Sequence, residues 1–127
     1  MNKRGRRHAA PSTSPSRPPV GVQEIAAALA DRKAVDLIAL DLHGLSEATD
    51  YFVIASGTSD AHVRGMAEHL MRRVVPHHVE GLPQGRWVLL DYVDVVVHIF
   101  HPEQREFYQL ERLWADAPAI PMDAGTP

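Results

Sequence analysis

The sequence predicts one domain of the α/β class, more narrowly α+β, with its elements in the order α-β-β-α-β-β-β-α. Three observations predict it. Apolar residues recur at helical spacing in separate segments. Short runs of strand-forming residues, bounded by turn residues, lie between them. The chain has 127 residues, 45% of them apolar, which suits a single globular core.

Each element has its own signal. Val22, Ile25, Ala26 and Leu29 mark an amphipathic helix over 21–34. "AVDLIALDL" (34–42) follows as a short apolar strand. "HGLSEATD" is turn chemistry, with Asp41 and Asp50 bracketing it and serving the turn. "YFVIASG" (51–57) is the second strand, stopped by Gly57. Val63, Met66, Ala67, Leu70 and Val74 then form a stripe, which predicts a helix over 59–75 with Ser59 as its N-cap. Pro76 stops that helix. "HHVEG" (77–81) is a short strand and "LPQG" a loop. Pro102 suits a first helical position, and Phe107, Leu110 and Trp114 mark a final helix.

The two ends read differently. Residues 1–19 hold Lys3, Arg4, Arg6, Arg7 and Arg17, no acid, and much Pro and Ser. Such a segment buries too little apolar surface to offset its ordering entropy, so it is expected to be a disordered basic tail. It has no apolar stretch of a secretory signal. "ADAPAIPMDAGTP" also reads as frayed, so the domain is expected over 20–116 and a disordered tail over 117–127.

Charge and composition narrow the function. The net charge of −3 is split: the tail carries +5 and the remainder −8. A body at −8 does not attract nucleic-acid phosphate; it suits a basic protein partner, with plain solubility charge as the alternative. No specific nucleic acid is therefore expected, only weak contact with nucleic-acid phosphate through the basic tail. The chain has no Cys, which excludes disulfides and thiolate chemistry and fits a reducing, cytoplasmic setting. No apolar run approaches the roughly 18 residues of a membrane span, so no membrane partner is expected.

"GRWVLLDYVDVVVHIF" (85–100) carries the most information. It is too long for one strand and breaks into a hairpin at Asp91-Tyr92-Val93-Asp94. With Tyr92 and Val93 as the loop, Trp87 faces His98, Leu89 faces Val96, Val88 faces Val97 and Leu90 faces Val95. Trp87, Leu89, Val96 and His98 then share one face, and an aliphatic set forms the other. The first face has the composition of a surface that becomes dry only in a complex. A tight two-residue turn needs positive φ, which β-branched Val93 disfavours, so a wider or shifted turn stays open. Trp87 is the candidate anchor, with Leu89 and His98 beside it, and an ordinary half-buried strand aromatic is the alternative reading. Asp91 and Asp94 are expected to accept bonds from partner Lys or Arg, and Tyr92 to add a contact at the tip.

Rival chemistry is weaker. "SGTSD" (56–60) joins a strand to a helix N-terminus and, with Asp91 and Asp94, evokes nucleotidyl transfer. Yet the loop has only Gly57, and the two Asp flank a turn. Eight His invite a metal site, but none shows three converging ligands, so no metal and no cofactor are expected. His62 and His69 align on one helix, and His98 and His101 straddle a strand end.

"DLIALDL", "TDYFVIASGTSDAHVRGMAE" and "GRWVLLDYVDVVVHIFHPEQREFYQLERLW" resemble blocks of the ribosomal silencing factor family, the Iojap-related proteins. The resemblance runs from about Val22 to Ala117. It implies a mixed five-stranded sheet flanked by helices, related to the nucleotidyltransferase fold without its catalytic residues. It implies a non-enzymatic factor that binds the large ribosomal subunit through ribosomal protein L-fourteen. Occupying that face would block joining of the small subunit and repress translation under nutrient limitation. Members can also form homodimers. Many members carry Gly where this chain has Val93.

Overall fold

The structure is a computed structural model; it describes residues 20–104, 115 and 117–120. Its strands are β1 (Val35–Asp41), β2 (Tyr51–Ser56), β3 (His78–Glu80), β4 (Trp87–Asp91), β5 (Val95–Phe100) and β6 (Ala119–Ile120). Its helices are α1 (Val20–Asp31) and α2 (Asp60–Arg73), with a 3-10 turn at Pro102–Gln104. The strands form one sheet in the order β3-β4-β5-β2-β1-β6. β2 and β5 run parallel and the other neighbours antiparallel, so the sheet is mixed.

The apolar stripes set the layers. Val22, Ile25, Ala28 and Leu29 of α1 join Val63, Met66, Ala67 and Leu70 of α2. Both stripes pack on Ala39, Val53, Ala55, Val88, Leu90, Val97 and Ile99, which lie on one sheet face. Strand alternation sends Ile38, Leu40, Phe52, Ile54 and Phe100 to the other face, where they form a second cluster. Among the described residues the helical layer covers one side; on the other, Leu40, Leu42, Ile54 and Phe100 are also buried, and exposure concentrates at Trp87.

Local chemistry fixes the helix ends. Ser59 is the N-cap of α2, and its Oγ accepts from His62 N at 3.0 Å. Asp60 sits in the first turn and Arg72 and Arg73 in the last, each complementing the helix dipole. The helix ends at Arg73, ahead of Pro76. α1 stops at Asp31 rather than 34 because Lys33 adopts φ 62. Ala34 N then donates to Leu29 O, and the chain reverses into β1.

Two expectations about the sheet change. Ala119 and Ile120 pair with Leu40 and Ala39, and Asp41 N donates to Pro118 O. They form a sixth strand, where a disordered tail from 117 was expected. Ile120 is buried in the core, and its short flanking sequence hid this. The hairpin register also differs. Trp87 pairs Phe100 and Leu89 pairs His98, because the loop is Val93-Asp94 and Tyr92 stays in register with Val95. This shifts each partner by two, so every side chain keeps its predicted face. The final helix expected around Phe107, Leu110 and Trp114 lies outside the described residues.

Candidate partner-binding surface

The face opposite α1 and α2 carries Trp87 and Leu89 from β4, Val96 and His98 from β5, and Phe52 from β2. The Trp87 indole is 42% exposed, an unusual state for a Trp on a central strand pair. Its Nε1–H donates to His98 Nδ1 at 3.2 Å. The bond fixes the indole edge, and Phe100 backs the ring at a centroid distance of 5.0 Å. Trp87 is therefore exposed and held rigid before any partner arrives.

His98 does not lie open beside it. It is 5% exposed, because its ring is enclosed by Phe52 at 4.7 Å, Phe100 at 6.2 Å and Trp87. Burial lowers its pKa to about 4, so the ring is neutral at pH 7. Since Nδ1 accepts from the indole, the proton resides on Nε2. That atom is buried and has no hydrogen-bond partner among the described residues. His98 thus positions Trp87 rather than standing free as a contact.

Tyr92 is also turned away. Its hydroxyl donates to Val74 O at 2.7 Å, on the helical side. Burial raises its pKa to about 12, so it remains a donor. The residue ties the hairpin tip to the end of α2 instead of presenting a contact.

Leu89 and Asp91 form one wall of a groove of about 460 Å³. Phe52, Val96 and His98 lie in its lining, and Ser46, Ala48 and Thr49 of the β1–β2 loop close the far side. Asp91 Oδ1 accepts from Val93 N at 2.8 Å, and Asp94 is exposed at the tip. The groove is apolar within and acidic at its rim. Phe52 and the Ser46–Thr49 wall had not been singled out from sequence. Their signal was weak, because β2 becomes a neighbour of β5 only through the parallel crossover.

The rival site does not assemble. "SGTSD" lies where β2 ends and α2 begins, with Gly57 N bonded to Phe100 O. Asp91 and Asp94 lie at the other end, where Asp94 O accepts from Asp50 N and Tyr51 N. The length of β2, roughly 17 Å, separates them, too far for carboxylates and a phosphate-binding loop to share one metal. Several of the described His residues have local partners. His62 Nδ1 accepts from Thr58 N and its Nε2 donates to Arg32 O at 2.6 Å, tying α2 to the α1–β1 turn. His101 Nε2 lies 3.2 Å from Asp60 Oδ1. Among the described residues no group of three His, Asp or Glu is placed to hold a metal. Nor is any described helix long and apolar enough to cross a membrane.

Comparison with known proteins agrees with this fold. A family model described as "Ribosomal silencing factor during starvation" matches residues 15–127. The chain belongs to the ribosomal silencing factor family. A silencing factor from Bacillus subtilis is 43% identical over 105 residues, covering 79% of this chain and 89% of that protein. The chloroplastic Iojap protein of Zea mays is 34% identical, covering 80% of this chain and 46% of the maize protein. A crystal structure of a Bacillus halodurans protein superposes with a TM-score of 0.70 at 37% identity, covering 80% of this chain and 96% of that one. A Chromobacterium violaceum structure gives 0.67 at 30% identity, covering 87% and 98%. Both solved folds thus match this chain across nearly their whole length.

Proposed function

We propose that this chain binds the large ribosomal subunit through ribosomal protein L-fourteen and blocks joining of the small subunit. Family membership supports the ribosomal role. The observation that carries the site is Trp87: an indole 42% exposed, held by His98 and backed by Phe100. A rigid, exposed Trp loses little entropy on docking and is a frequent hot spot. Leu89 supplies apolar area beside it, and Asp91 and Asp94 accept bonds from a basic partner at the rim. The mechanism is steric, so no catalytic group enters it. The place of action is the compartment that holds the ribosomes, the cytoplasm.

Subunit mixing tests the reading. Purified chain added to small and large subunits should lower light scattering from their association and sediment with the large subunit. Full association at saturating chain, with no chain in the large-subunit fraction, contradicts it.

A further inference from the structure

The apolar groove and its acidic rim lie close to where the basic N-terminal segment leaves the fold. α1 packs on β1 and β2, the strands at one side of the sheet. Its 12 residues span about 18 Å, too long to cross two strands spaced about 5 Å apart, so it runs along them. The tight reversal at Arg32–Lys33 makes it antiparallel to β1. β1 ends at Asp41, opposite Tyr51, and Tyr51 pairs with Val95 at the hairpin base. Val20 therefore stands at the end of the sheet that holds Asp91, Asp94 and the β1–β2 loop.

Residues 1–19 precede it with five Lys or Arg and no acid. A 19-residue segment reaches up to about 60 Å, and the groove is about one sheet thickness away. Glu47 stands between groove residues Ser46 and Ala48, and among the described residues no Lys or Arg lines the groove.

We propose that residues 1–19 dock in this groove in the free protein and compete with the basic partner for it. The proposal rests on the ribosome-binding reading for its consequence, though not for the docking itself. The tail's Arg side chains pair with Asp91, Asp94 and Glu47, and its backbone lies over Phe52 and Val96. Tethering supplies an effective concentration on the order of millimolar, enough for a weak contact to be well populated. The contact is charge-driven, so salt releases it.

The test compares the full chain with a full-length variant in which Lys3, Arg4, Arg6, Arg7 and Arg17 are all replaced by Ser (K3S, R4S, R6S, R7S, R17S). Amide and indole NMR signals of Leu89, Asp91, Val96 and Trp87 should differ between the two at low salt and converge at about 0.5 M salt. The variant should bind large subunits about two- to tenfold more tightly. Coincident spectra at low salt overturn the proposal. Differences that scale with protein concentration also overturn it, since they assign the groove to a second copy. Weaker large-subunit binding by the variant, with a shallower salt dependence, overturns it in favour of tail contact with rRNA. If the spectra differ as expected and neither protein binds large subunits, tail docking stands and the ribosomal reading fails.

Discussion

Val93 sits at φ 73, and Asp94 N donates to Tyr92 O across it, a three-residue turn with a left-handed centre. For a β-branched residue that conformation costs about 1–2 kcal/mol. Val93→Gly should therefore stabilise the fold by about 0.5–1 kcal/mol after the added chain entropy, read as a higher urea midpoint. An unchanged or lower midpoint would show that the turn is unstrained. His98 gives a pH signature. Its folded pKa of about 4 lies below the ordinary 6.5, so the unfolded chain binds more protons between those values. Its contribution, on the order of 3 kcal/mol, is complete above pH 6.5 and is lost as pH falls toward 4. His98→Gln should flatten that part of the stability–pH curve. Equal slopes in both proteins would contradict the burial argument.

At the scale of elements, the hairpin shows what sequence carried. The alternation of Trp87, Leu89, Val96 and His98 against Val88, Leu90, Val95 and Val97 placed every side chain on its correct face. The pairing was two residues out, because the turn position depends on Asp91 Oδ1 accepting from Val93 N and Tyr92 reaching Val74 O. The first is a local turn contact, but the second is not legible without the packed helix. Ser59 was readable as a cap because its signal is local. β6 was not, since two residues carry no period. Gly81 anchors the other edge of β4. At φ 83, an added Cβ would lie 2.1 Å from Trp87 O. Gly81→Ala should cost about 2 kcal/mol or more and disturb the Trp87 environment, seen as a shift in indole fluorescence. Wild-type emission and midpoint would mean that the loop moves freely away from β4.

For the whole molecule, the two faces of the sheet differ in character. One is covered by α1 and α2 and fills the core. The other presents a fixed indole, an apolar groove and acidic edges. Amphipathic periods made the first face visible in the sequence. The second needed the order of strands, since β2 meets β5 only through a parallel crossover and brings Phe52 beside His98. The central claim is that the open Trp87 side docks on the large ribosomal subunit. Sedimentation of the intact chain and of Trp87→Ala with purified large subunits tests it most directly, with circular dichroism to verify the fold of each. The account predicts co-sedimentation of the intact chain and a loss of affinity of about 2 kcal/mol, roughly 30-fold, in the variant. Equal binding by the two folded proteins would contradict it.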